Sequence, residues 1–160
     1  MTSLLALGAD QCAKTYVASA LEVGARRPLV DDRLSLTHVP SWGGTLGFSG
    51  NWLPDTPELG FALVAACATL GIVAFYHRLA PREVSTAAGL GAILGGIASQ
   101  TADRLRFGSG LDFLHLGSLR SSAAPDVNLA DIAILLGVLT LIVELLTEDL
   151  AARASEGGEH

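Results

Sequence analysis

Apolar residues in this chain gather in long blocks, not in the short periodic patterns of a soluble domain. Leu59 to Tyr76 contains no charged residue, and neither does Val84 to Ala102. Val127 to Val143 contains one, Asp131, near its start. A helix needs about 20 mostly apolar residues to cross a bilayer core, so these blocks predict three membrane spans. Pro57 and Glu58 precede the first block, and His77 and Arg78 follow it, which suits helix ends at a water interface. Thr2 to Ala20 is read as a shorter first span, although Asp10, Gln11 and Lys14 interrupt it. Asp10 and Lys14 lie four apart on one helix face and can pair. Inside a membrane such a pair is tolerated when it faces the bundle interior. A secretory signal peptide fits this segment poorly, because no basic stretch precedes its short apolar core.

Between the spans the pattern changes. Leu34 to Val39 alternates apolar and polar residues and ends at Pro40, which predicts a short strand. Trp42, Phe48 and Trp52 follow among glycines and suit an interfacial aromatic belt. A small β-platform between helices 1 and 2 is expected, with an irregular Gly-rich loop as the alternative. Gly89, Gly91, Gly95, Gly96 and Ala98 line the third span, either for close helix packing or to clear room for a substrate helix or lipid chains. Residues 147–160 are polar and acidic and read as a solvated tail. The expected fold is an all-α membrane protein, with residues 1–146 forming four transmembrane helices.

Composition narrows the classes. Half the residues are apolar, 16% are charged and the mean hydropathy is +0.47, whereas soluble domains are about one quarter charged. A net charge of −6 with a single lysine excludes a nucleic-acid partner. Two cysteines exclude a disulfide scaffold; Cys12 and Cys67 fall inside spans and are expected as small buried side chains. Four spans put both termini and the turn at 77–83 on one side, and the two long loops on the other. Arg26, Arg27, Arg33, Arg104, Arg106 and Arg120 fall on the loop side, against Arg78, Arg82 and Arg153 on the other. Taken alone, the positive-inside rule would place the long loops in the cytoplasm.

Candidate chemistry lies in the second long loop. Asp112 sits among Gly110, Leu111, Phe113 and Leu114, and Asn128 and Asp131 open the fourth span. Asn128 as an N-cap, with Asp131 in the first turn, is one reading of that pair. In the other, Asp112 and Asp131 converge at one membrane face, because consecutive antiparallel spans are neighbours. Two carboxylates close together in low dielectric cannot both ionise easily. One then acts as acid and the other as base on a water, the chemistry of aspartic proteases. A transport site using Asp10, Lys14 and Asp131 is a rival. His38, His77 and His115 show no metal-ligand spacing, so neither a metal nor another cofactor is expected. His115, three residues after Asp112, is expected as a solvated loop histidine.

Four stretches in order resemble signal peptidase II, the bacterial lipoprotein signal peptidase. Asp10-Gln11-Cys12-Ala13-Lys14 resembles the family's D-Q-x-x-K, and Leu34 to Phe48 its strand followed by N-x-G-A-A-F. Gly95 to Phe113 is similar to G-G-x-x-G-N-x-x-D-R-x-x-x-G-x-V-x-D-F, and Val127 to Ile132 to F-N-x-A-D. The likeness runs over about residues 3 to 146, and the last two stretches together are specific.

The resemblance implies a four-span inner-membrane aspartic endopeptidase of bacteria. Such an enzyme cuts signal peptides from diacylglyceryl-modified prolipoproteins, just before the lipid-modified cysteine, at the extracytoplasmic face. It implies a catalytic dyad of Asp112 and Asp131, supported by Asn128, with Asp103 and Arg104 holding the site and its substrate. Asp10 and Lys14 fall in the first motif. Ser41 and Gln100 stand where the family has Asn, and Ser99 where it has Gly. Membrane lipid and a prolipoprotein are the implied partners, and a monomer is expected. A catalytically impaired relative that binds lipidated peptides is the alternative.

Overall fold

The computed structural model describes residues 1–30, 33–41, 57–80, 83–117 and 124–156. In chain order the elements are α1 (Thr2–Ala20), β1 (Arg26–Val30), β2 (Leu34–Ser41), α2 (Pro57–Tyr76), α3 (Val84–Phe107), β3 (Gly110–Leu116), β4 (Asp126–Val127) and α4 (Leu129–Glu156). Each apolar block is a helix, and α1 has the expected bounds. The window Leu59–Tyr76 of α2 has a mean hydropathy of 2.1, and Leu129–Ser155 of α4 reaches 2.4; both are long and apolar enough to cross a membrane. Their large side chains point outward, including Leu63, Val64 and Leu70 on α2 and Leu135, Ile142 and Leu146 on α4. So large an apolar surface suits a lipid surround.

Two helices overrun their expected ends. α3 continues to Phe107 and so carries Asp103 and Arg104 in its last turns. It stops at Gly108, which takes φ 75° and donates its N–H to the Arg104 carbonyl at 3.1 Å. α4 continues to Glu156, so the segment from residue 147 is helical up to there. An exposed Arg153–Asp149 pair one turn apart, at 2.9 Å, fits that extension.

The sheet corrects the expected fold. Its strand order is β1-β2-β3-β4, with every neighbouring pair antiparallel. The platform is therefore not built from the first loop alone, because β3 and β4 come from the second, and the chain is not all-α. Along β3, Leu111, Phe113 and His115 are buried in alternation, the period-two pattern of a strand with one covered face. Phe113 and Leu111 pack on Val17 of α1 to form the core under the sheet. β1 is an exposed edge strand, where Pro28 is tolerated. Trp42, Phe48 and Trp52 lie outside the described residues. Cys12 and Cys67 are exposed and unpaired, not buried. On α1 the buried stripe is Asp10, Lys14 and Val17, which leaves Cys12 facing outward.

α3 is the central helix and packs on α1, α2 and α4. Its glycines set the approach. A Cβ at Gly95 would lie 2.4 Å from the Ser3 carbonyl, and one at Gly96 would lie 2.7 Å from the Ala130 carbonyl. A Cβ at Gly137 of α4 would lie 2.6 Å from the Gly89 carbonyl oxygen. Close packing is thus the role of this stripe. Gly95→Ala should lower the thermal midpoint in detergent, at a cost of roughly 1–3 kcal/mol. Gly8→Ala, where a Cβ meets nothing within 4 Å, should be neutral or stabilise by about 0.5–1 kcal/mol. Equal midpoints for the two variants would contradict this packing.

Candidate active site

Three local structures deliver the polar side chains to one place. The Gly108 stop turns the chain from α3 into β3, so Asp112 follows within one strand. β3 pairs with β2, setting Val39 opposite Asp112 and Ser41 opposite Gly110. The Ser41 hydroxyl hydrogen-bonds the Asp112 carboxyl. β4 then leads into α4 through Asn128. Asp131 N–H donates to Asn128 Oδ1 at 2.9 Å, and Asn128 N–H donates to Asp131 Oδ2 at 3.2 Å. This is a reciprocal capping box, so the cap reading of Asn128 and Asp131 holds. It does not compete with the site reading, because the Asn128 amide has a further use. Its Nδ2 donates to Asp112 Oδ1 at 2.6 Å and more weakly to the Leu111 carbonyl at 3.4 Å. One fully buried side chain therefore touches both aspartates.

Gln100 completes this inner group. Its Nε2 donates to Asp131 Oδ1 at 2.8 Å and to Asn128 Oδ1 at 3.3 Å. Its Oε1 accepts from Arg104 at 3.1 Å, and Arg104 also reaches the Gln100 carbonyl at 2.9 Å. The Arg104 guanidinium lies 3.6 Å from the centre of the Phe61 ring, which ties α2 to the site.

A second group lies behind the first. Lys14 is fully buried and ion-paired with both Asp10 and Asp103. Gln11 Nε2 donates to Asp103 Oδ1 at 2.7 Å and to Ser99 Oγ at 2.9 Å. Ser99 Oγ donates to Asp10 Oδ2 at 2.7 Å. The other Asp10 oxygen accepts the N–H of Ala130 at 3.0 Å, in the first turn of α4. The structure thus brings together Asp112, Asp131, Asn128, Gln100, Arg104 and Ser41, with Asp10, Lys14 and Asp103 adjoining. Sequence reasoning missed the part played by Phe61 and Ser99. Arg106, counted above only for its charge, donates to Gln11 Oε1 at 2.7 Å. His115 is not a solvated loop residue: it is 1% exposed and bonded to Asp126.

Burial is the largest influence on Asp112, and the nearby Asp131 adds to it. Together they push its carboxyl up to about 6, against the pull of hydrogen bonds from Ser41 and Asn128. At neutral pH a group placed this way exchanges a proton readily, as an acid–base catalyst requires. Among the described residues, no group of three or more His, Cys, Asp or Glu is placed to hold a metal ion.

The family described as signal peptidase (SPase) II matches residues 2–147. The chain belongs to the signal peptidase II family. Two relatives, each named lipoprotein signal peptidase, are those of Desulforapulum autotrophicum and Syntrophus aciditrophicus. They are 30% and 34% identical to it over 148 and 152 residues, covering 91% of this chain and 90% of each relative. A solved bacterial membrane enzyme superposes with a TM-score of 0.78 at 19% identity, over 92% of this chain and 87% of that one. A second superposes at 0.75, over 91% and 90%. The chain thus shares its fold with these two structures, and the family is one of proteases. In this chain, the two positions that depart from the family asparagines are both engaged. Ser41 reaches Asp112, and Gln100 reaches Asp131.

The raised Asp112 also sets a stability cost. Its folded pKa lies above the ordinary 3.8, so the stability it contributes is full below about pH 4 and is lost as pH rises through about 6. Asp112→Asn removes that cost. The variant should melt above the wild type at pH 8, by roughly 3 kcal/mol, with the gain shrinking as the pH falls towards 4. A gain that is absent, or that grows on acidification, would contradict the placement of Asp112.

Proposed function

We propose that this chain is a four-span aspartic endopeptidase. It removes signal peptides from diacylglyceryl-modified prolipoproteins ahead of the lipid-modified cysteine. The observation that carries the proposal is that one residue, Asn128, holds both carboxyls, Asp112 by its side-chain amide and Asp131 by its backbone N–H. Asp131 is the base. It lies in the first turn of α4, where negative charge is favoured, and its carboxylate accepts from Gln100 and the Asn128 N–H. Asp112 holds the shared proton. A water between the carboxylates gives a proton to Asp131 as its oxygen attacks the scissile carbonyl carbon. The Asp112 proton passes to the carbonyl oxygen, giving a neutral tetrahedral diol. Asp131 then protonates the leaving nitrogen, Asp112 recovers its proton from a diol hydroxyl, and the C–N bond breaks. Water is the only co-reactant.

The surroundings suit a substrate held in a bilayer. Between α2 and α3 lies an apolar cavity of about 640 Å³, lined by Phe61, Ala65, Thr69, Leu70, Thr101 and Arg104. It reaches the site through Arg104 and would take an apolar chain lying in the membrane. In the proposed topology α1 and α3 also span, with Asp10, Lys14 and Asp103 facing the bundle interior. The sheet and the dyad then lie at the extracytoplasmic face of the bacterial inner membrane, and the helical end of α4 opens a cytoplasmic tail. The enzyme works as a monomer. Engagement of Ser41 and Gln100 favours an active enzyme over a relative that only binds lipidated peptides.

The test is cleavage of a diacylglyceryl-modified prolipoprotein by the full chain in lipid, read as the signal-peptide shift on a gel. The wild type should cleave, while Asp112→Asn and Asp131→Asn should each lose at least about 10³-fold in kcat. A folded wild type that binds without cleaving would establish the impaired relative. Cleavage retained in either variant would refute the dyad.

A further inference from the structure

A buried histidine stands outside the acid–base chemistry. His115 lies three residues past Asp112 on β3, and Asp126 lies two residues before Asn128 on β4. His115 Nδ1 is 3.0 Å from Asp126 Oδ1, and Thr37 Oγ1 of β2 donates to the same oxygen at 3.3 Å. His115 and Thr37 are both buried. We infer that His115 and Asp126 are a positioning pair that locks the β3–β4 register on which contact between Asp112 and Asn128 depends. The inference rests on the proposed dyad.

β4 is a very short strand. It has two residues, and its ladder consists of Leu114 opposite Val127 and His115 opposite Asp126. One further backbone bond, from Leu116 N–H to the Pro125 carbonyl at 3.0 Å, closes its far end. A ladder this short specifies register weakly. A slip of one residue moves the chain by about 3.4 Å and turns each side chain to the opposite face. Either change breaks the 2.6 Å bond from Asn128 to Asp112. A side-chain lock on the neighbouring pair prevents the slip, and Asp126 is gripped from two strands at once. Packing alone would be served better by apolar residues on this covered face. Buried polar pairs are most useful where they select one register over others. A neutral N–H donor at the Nδ1 position is enough for the lock, so the charge of His115 is not required.

Two substitutions separate the lock from mere space-filling. His115→Leu fills the site without a donor, and His115→Asn keeps an N–H near the position of Nδ1. In the full chain in lipid, with diacylglyceryl-modified prolipoprotein as substrate, His115→Leu should lower kcat by about 10²-fold, with KM within about twofold. His115→Asn should recover most of that loss. Asp126→Ala should match His115→Leu, and the double variant should be no worse than either single one. The alkaline limb of the pH profile should also fall in His115→Leu, because a displaced Asp112 is less influenced by Asp131. Arg104 and Lys14, the cations that also act on Asp112 or its partner, are untouched by the change. Loss of folded enzyme would lower the amplitude without moving the limb. Equal activity in the Leu and Asn variants, additive losses, or an unmoved limb would overturn the pair. If Asp112→Asn cleaves normally, the dyad itself fails; if it is dead while His115→Leu is fully active, only the lock fails.

Discussion

A lysine sealed from solvent between carboxylates on two helices is the interaction around which this fold is arranged. Lys14 on α1 meets Asp10 one turn earlier and Asp103 on α3. Such a triad is costly to desolvate, and removing one member of a buried pair costs roughly 3–5 kcal/mol. Its value is geometric. Asp10 spends its second oxygen on the Ala130 N–H, and so fixes the start of α4 beside α1. Asp103 sits next to Arg104 and one turn beyond Gln100, both of which face the aspartates. α1 supplies neither proposed catalytic carboxylate, yet it sets where two of the elements that carry the site begin and end.

The same constraint explains the glycines. α3 has to bring Gln100 and Arg104 to one end of the bundle while lying against α1 and α4 along its length. Gly91 and Gly95 admit α1, and Gly89 and Gly96 admit α4. With the helices that close, the capping box at Asn128 falls within reach of β3, and one amide serves a helix terminus and a carboxyl together. Burial then raises Asp112 to about 6 with Asp131 nearby. Helix packing, capping and acid–base poise are thus consecutive consequences of one arrangement.

Helices were legible because their signal is local: apolar blocks, a pair at four-residue spacing and a capping box at three. Of the sheet, β2 was legible for the same reason, in the alternation of Leu34 to Val39, whereas β1 at Arg26–Val30 had no such alternation to show it. β3 was harder to see. Leu111, Phe113 and His115 do alternate, but Asp112 and the glycines around it read as loop, and the partner that makes it a strand lies some 70 residues away at Val39. The site depended on the same distant pairing. Asp112 and Asp131 could be nominated by spacing, whereas Phe61 and Asp126 had no signal before the chain folded, and Ser99 stood out only as a departure from the family pattern. Outward-facing Cys12 and Cys67 show a related limit, because an apolar span does not declare which of its faces meets lipid.

The claim at the centre is that Asp112 and Asp131 act as one proton-sharing site. Its most direct test is a titration of the Asp112 carboxyl by carbon-13 labelling and NMR, in the wild type and in Asp131→Asn. The account predicts a midpoint near 6 in the wild type and a lower one in the variant, still above the usual aspartate range because burial persists. A midpoint near 4 in both proteins, or one that does not move when Asp131 loses its charge, would contradict it.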